Sequence, residues 1–258
     1  MNDHPIGVFD SGMGGLGVLK DFILQLPNER FIYYGDNANV PYGDKSRDQI
    51  IALSSQCCRF LIEKGAKLVV VACNTASAAA IDVLRAQFDL PIVAIEPATR
   101  PAAKLANGGK ILVMATRNTL TLDHYQNRMA EIGIQDQVIN LPCPQLVELV
   151  EAGELDTPRA RDTIAILLEP FAREKIDVIV LGCTHFLHYK EPILKTAQYF
   201  WPDVHVIDGN AGITRQLIRV LDEYDLAAGQ GKKGETTFYT SGDEAYYAPL
   251  FARLMGNG

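Results

Sequence analysis

Two cysteines of this 258-residue chain stand in matching surroundings: Cys73 closes the aliphatic run of VVVACNTAS (69–77), and Cys183 closes that of VIVLGCTHF (178–186). Each is followed at once by polar side chains. A thiol at a strand end and helix start lies near the positive end of the helix dipole, which lowers its pKa from about 8.5 toward neutrality. Two such thiols suit one reaction class well, the removal of a proton from one face of a carbon acid and delivery of a proton to the other. That is racemisation or epimerisation. One thiol begins as thiolate and the other as thiol, and the roles exchange with the handedness of the substrate. A weak carbon acid also requires tight positioning, exclusion of water and stabilisation of charge developing on the adjacent carboxylate. Ser11, Asn74, Thr75 and Thr184, with backbone N–H groups at helix starts, are the groups available for this.

Other chemistries compete for the same residues. Gly12-Met13-Gly14-Gly15-Leu16-Gly17 satisfies G-x-G-x-x-G after a strand and before a helix, and Asp36 stands where the ribose-binding acid of a dinucleotide site would be, so a nucleotide-dependent oxidoreductase is an alternative. Against it, Asp10 would bring a carboxylate near the pyrophosphate, and both cysteine segments are left without a role. Cys183-x-His185-x-x-His188 offers thiolate and imidazole to a metal such as zinc, but no second ligand pair follows at finger-like spacing. A thiol hydrolase built on Cys183 and His185 has no use for Cys73. No Gly-Lys-Ser/Thr follows the glycines, so a P-loop is excluded, and redox C-x-x-C is absent. Cys57 and Cys58 sit on a helix with apolar spacing and read as packing residues.

The elements that position these groups alternate between strand and helix. Ile6 to Phe9 is a strand feeding the glycine-rich turn and a helix; Arg30 to Tyr34 is a second strand, ending at Gly35-Asp36. Ser46 reads as the N-cap of the next helix. A strand over 68–72, a helix over 75–88 and a short strand ending at Ile95 follow. The pattern restarts near Asn107, with strands at 111–115 and 138–141, a helix ending at Glu151, a helix opening at Thr157-Pro158, the strand before Cys183 and a strand over 204–207. A helix (211–224), a Gly/Lys-rich turn (229–234), a strand (236–240) and a closing helix complete the chain. Val8 aligns with Val113, Cys73 with Cys183 and Ala94 with Val206 at offsets of 105, 110 and 112 positions, which points to an internal duplication and to two facing α/β lobes. The polar clusters fall at the carboxyl ends of strands, where open α/β sheets bind ligands.

Composition sets outer bounds. A chain of this length buries roughly 75% of the surface its unfolded form exposes. Hydrophobic residues at 48% and charged residues at 21% describe an ordinary globular protein, and a net charge of −7 argues against a nucleic-acid surface. The longest aliphatic run, Leu68 to Ala72, is far short of the ~20 residues of a membrane span. The opening MNDHPIGVFD lacks the basic and then apolar start of a signal peptide, and five cysteines without framework spacing suit a reducing compartment, so a cytoplasmic location is expected.

GVFDSGMGG (7–15), PYG (41–43), ACNTAS (72–77) and GCTH (182–185) resemble, in order and over essentially the whole chain, the motifs of the glutamate racemases. The resemblance implies a cofactor-independent enzyme, with no metal, that interconverts L- and D-glutamate for peptidoglycan synthesis. It implies two flavodoxin-like lobes with the active site between them, residues 1–97 with 209–258 forming one and 98–208 the other. Cys73 would take the proton from D-glutamate and Cys183 from L-glutamate. Asp10 and His185 resemble the assisting residues, with Asp36 and Glu151 as further candidates. Substrate would be held by Ser11, Pro41, Tyr42, Gly43, Asn74, Thr75, Thr116, Thr119 and Thr184. Glutamate is the expected small-molecule partner, and a homodimer the expected assembly.

Overall fold

A computed structural model describes residues 2–229, 231 and 233–256. The first half of the chain forms β1 (Ile6–Asp10), α1 (Leu16–Gln25), β2 (Phe31–Gly35), α2 (Arg47–Glu63), β3 (Leu68–Val71), α3 (Asn74–Gln87), β4 (Ile92–Ala94) and α4 (Thr99–Leu105). The second forms β5 (Lys110–Ala115), α5 (Arg117–Thr121), α6 (Asp123–Ile132), β6 (Val138–Pro142), α7 (Pro144–Glu151), α8 (Pro158–Leu168), β7 (Ile176–Leu181), α9 (Lys190–Phe200) and β8 (His205–Asp208). The chain closes with α10 (Asn210–Glu223), β9 (Thr236–Thr240) and α11 (Glu244–Met255). The Gly/Lys-rich turn expected at 229–234 lies partly outside the described residues.

Two parallel sheets result, with strand orders β4-β3-β1-β2-β9 and β6-β5-β7-β8. Read in the same direction, β4-β3-β1-β2 and β8-β7-β5-β6 are one order repeated, the doubly wound order of flavodoxin-like folds. The three aligned segments of the sequence fall on β1 and β5, β3 and β7, and β4 and β8, so the duplication is one of topology as well as of residues. The last segment leaves the repeat and returns to the first sheet, where Thr236 to Thr240 pair in parallel with Phe31 to Gly35.

The central strands are buried on both faces and their inner stretches are therefore aliphatic rather than alternating, as in Leu68–Val71 and in residues 178–181 of β7. One apolar cluster runs from Ile6, Val8 and Val70 through Met13, Phe186 and Tyr189 to Leu112 and Ile179, so a single core is continuous across the lobes. Smaller clusters lie under α2 and α3 and under α4 and α6. Helix starts follow their sequence signals. Ser46 and Gln49 form a reciprocal capping box on α2, and Thr157 Oγ1 accepts from Ala160 N ahead of Pro158. Helix α4 carries no strong periodic signal, because its seven residues bury only Thr99 and Ala102.

The chain crosses between the lobes twice, just after β4 and just after β8. At the crossing a Cβ on Gly209 would stand 2.5 Å from the Glu96 carbonyl oxygen, so the two connections run in backbone contact and only glycine fits. The carboxyl ends of both sheets then open toward a shared seam.

Candidate active site

Cys73 and Cys183 lie two residues beyond the ends of β3 and β7, at equivalent places in the two sheets, and both are buried, with 4% and 6% of their surfaces exposed. Both thiols are closed to solvent in this conformation. The local settings of the two thiols differ.

Cys73 is the N-cap of α3: its Sγ accepts from Ala76 N at 3.4 Å and donates to Ser11 Oγ at 3.5 Å. The helix start alone predicts a lowered pKa, and the structure corrects that expectation. Burial pushes the Cys73 thiol up to about 12, and the nearby Asp10 carboxylate adds to the rise, against the smaller pull of the Ser11 and Ala76 contacts. Cys183 begins no α-helix. It precedes a 3₁₀ segment, Thr184–Tyr189, makes no capping bond, and faces His185 Nδ1 at 3.8 Å.

The His185 ring is part of a longer chain of contacts. Its Nε2 meets Glu151 Oε1 at 2.7 Å; the same oxygen accepts Met13 N–H at 2.8 Å, and Glu151 Oε2 accepts from Asn37 Nδ2 at 3.2 Å. Burial disfavours both charges, yet the contacts outweigh it: His185 is held well above 6.5 by Cys183 and Glu151, and Glu151 below 4.5 by His185, Met13 and Asn37. Both ring nitrogens then carry hydrogen, one directed at Glu151 and the other facing the Cys183 sulfur.

Asp10, fully buried, accepts Gly12 N–H at 2.9 Å on one oxygen and Thr184 Oγ1–H at 2.9 Å on the other. Burial raises its pKa despite the His185 charge and these two donors. The glycines of the turn make room for this meeting: a Cβ on Gly14 would stand 2.5 Å from both His185 N and Thr184 Oγ1. Second-lobe residues occupy the space above the G-x-G-x-x-G turn, where a pyrophosphate would lie. The dinucleotide alternative is not favoured. Nor is the metal alternative: His185 is engaged by Glu151, His188 Nε2 faces the Met13 carbonyl at 3.2 Å, and among the described residues no group of three or more His, Cys, Asp or Glu is arranged to hold a metal.

Thr75, Thr116 and Thr119 form a triangle of hydroxyls across the seam, with Oγ1 to Oγ1 distances of 2.9, 3.2 and 3.0 Å. Asn74 Nδ2 nearby is buried with no hydrogen-bond partner among the described residues. An unmet buried donor costs about 1–3 kcal/mol, which an entering carboxylate would recover. Gly43 packs against Thr116, where an added Cβ would lie 3.0 Å from the threonine Cβ. Tyr42 is buried with its hydroxyl turned away onto Asp36 Oδ2 at 2.6 Å.

Asp36 hydrogen-bonds to neither Cys73 nor Cys183. Its carboxylate is consumed by Tyr42, by Asn39 Nδ2 at 2.9 Å and by Ser241 Oγ at 2.7 Å, so it braces the Pro41-Tyr42-Gly43 loop. Several contributors carry no sequence signal of their own. Met13 acts through its backbone, Asn37 through its place beside Asp36, and Ser241 and Tyr246 come from the returning C-terminal segment, Tyr246 OH donating to the Glu151 carbonyl at 2.9 Å. Asn118, inside the threonine loop, donates to the carbonyls of Tyr42 (3.1 Å) and Lys45 (2.7 Å) and ties that loop to the facing lobe.

Residues 24–217 match the family model described as Asp/Glu/Hydantoin racemase. The glutamate racemase of Clostridium perfringens strain 13 is 42% identical over 256 residues, covering 99% of this chain and 97% of that protein. Among solved structures, glutamate racemase isoform RacE1 from Bacillus anthracis aligns with a TM-score of 0.88 at 32% identity, covering 99% of this chain and 95% of that one. The glutamate racemase from Francisella tularensis, in complex with D-glutamate, aligns at 0.84 and 31%, with the same coverage.

Proposed function

The chain belongs to the Asp/Glu/hydantoin racemase family, in its glutamate racemase branch, and from that membership we propose that it interconverts L- and D-glutamate without a cofactor, passing protons through Cys73 and Cys183, and so supplies D-glutamate for peptidoglycan. The observation that carries the two-base reading is the placement of one thiol at the equivalent strand end of each of two sheets that share one four-strand order and face one seam.

From L-glutamate, the Cys183 sulfur as thiolate takes the α-hydrogen as a proton. The C–H bond breaks, an S–H bond forms, and the electron pair stays on Cα, delocalised into the adjacent carboxylate. Cys73 then gives its S–H proton to the opposite face and is left as thiolate. From D-glutamate the roles reverse. Burial keeps Cys73 as a neutral thiol, which suits it to the donor role in the L-to-D direction. On the other side His185 places an N–H toward the sulfur that acts as base, with Glu151 behind it. Asn74 Nδ2 and the Thr75, Thr116 and Thr119 hydroxyls supply donors for the carboxylates, whose charge grows as the proton leaves. Closure of the lobes excludes water and strengthens each of these interactions.

Incubating the pure protein with L-glutamate in D₂O, with nothing added, tests the reading. Deuterium should appear at Cα as optical rotation decays to zero. Glutamate that keeps its α-hydrogen and its rotation would overturn it.

A further inference from the structure

His188 is the member of Cys183-x-His185-x-x-His188 that the two-base scheme leaves without a task. Residues Thr184–Tyr189 form a 3₁₀ segment, in which side chains three apart lie on the same face, so the spacing of His185 and His188 directs both rings toward the glycine-rich turn of the first lobe. His185 goes to Glu151. His188 Nε2 lies 3.2 Å from the Met13 carbonyl oxygen, and because a carbonyl only accepts, the hydrogen is on Nε2. Burial pushes His188 down to about 4, with the neighbouring His185 and Lys20 charges adding to the fall and Met13 and Glu151 opposing it, so the ring is neutral at pH 7 and this tautomer is its working form.

Met13 is thereby gripped at both of its backbone groups by the opposite lobe. Its N–H donates to Glu151 Oε1 at 2.8 Å, and its C=O receives His188, together with a longer bond at 3.3 Å from Leu16 N within the turn. We propose that His188 is a positioning residue for proton transfer: on closure it seats Met13 so that the Met13 N–H fixes the Glu151 carboxylate, which in turn orients the His185 ring against Cys183. The inference rests on the two-base reading above. Both contacts join residues of different lobes, so they form and break together as the lobes move, and Glu151 is fully held only in the closed enzyme. A side chain of similar size without a donor would fill the space and leave Met13 free to shift.

The test compares His188→Leu with His188→Gln, whose amide N–H can replace the Nε2 donor. With the wild type racemising glutamate, His188→Leu is expected to lower kcat about ten- to a hundredfold with KM within about twofold, to enlarge the primary isotope effect with 2-deuterated glutamate, and His188→Gln to recover most of the loss. A kcat for His188→Leu within twofold of wild type, or no recovery in the glutamine variant, would overturn the assignment. Should both variants fail to fold, ¹⁵N NMR of the wild-type ring decides: a neutral ring protonated on Nε2 supports the role, and one protonated on Nδ1 refutes it. Wild-type protein that does not racemise glutamate would instead sink the two-base reading itself.

Discussion

Asp10 Oδ2 accepts the Thr184 hydroxyl hydrogen at 2.9 Å although the two residues are 174 positions apart. Asp10 ends the first strand of one lobe, and Thr184 follows the thiol of the other, so this bond ties the surroundings of Cys73 to those of Cys183. Replacing Thr184 by valine keeps the shape, removes the hydroxyl and leaves a buried carboxylate oxygen short of a donor. The expected cost is about 1–3 kcal/mol in urea denaturation, with a fall in kcat, and Thr184→Ser should recover most of both. A valine variant as stable and active as wild type would show that the bond is incidental.

Cys73→Ser and Cys183→Ser should each lower kcat by about a hundredfold or more, since an alcohol is a far weaker acid than a thiol and one proton-transfer partner is lost. The effect should appear with either enantiomer as substrate, because every turnover uses both groups. Folding should be little changed, as the replaced atom is similar in size, and circular dichroism melts check this. Near-wild-type rates in either variant would remove that cysteine from the mechanism.

Asp36 and Asp10 are separable by kinetics. Asp36 is saturated by Tyr42, Asn39 and Ser241 and holds the 41–43 loop, so Asp36→Asn is expected to raise KM several-fold, lower thermal stability and leave kcat within a few-fold, as is Tyr42→Phe. Asp10→Asn, at the turn beside Cys73, should act on kcat. A collapse of kcat with unchanged KM in Asp36→Asn would restore Asp36 as a participant in proton transfer.

What could be read in the residues divides along a physical line. The strand positions, the duplication and the paired thiols were legible because parallel strands buried on both faces leave long aliphatic runs, and because duplication repeats them. Thr116 and Glu151 were legible by resemblance, and the structure brings both to the seam. The state of Cys73 was not, since a helix start lowers a thiol pKa locally whereas burial, which here prevails, depends on how the lobes close. Asn118, His188 and the Met13 backbone were hidden for the same reason. Their partners belong to the other lobe, and nothing in their own segments announces where that lobe will lie.

The Glu151–His185 pair yields a prediction in pH. Glu151 is held below 4.5 in the folded state, so its contribution is present above about pH 4.5 and is lost as pH falls through the lowered value. His185 is held well above 6.5, so its contribution is complete below about pH 6.5 and is lost as pH rises toward the raised value, because the unfolded chain has already released a proton that the native chain keeps. Between those limits both groups are charged and the pair contributes fully. Glu151→Gln, which leaves the His185 charge buried without its partner, should therefore destabilise the protein by about 3–5 kcal/mol between pH 5 and 6. The difference from wild type should narrow on both sides, below pH 4.5 and into the alkaline range. Urea denaturation of both proteins across pH 4 to 9 measures it, and a difference that stayed flat with pH would mean that the pair is not ionised in the native state.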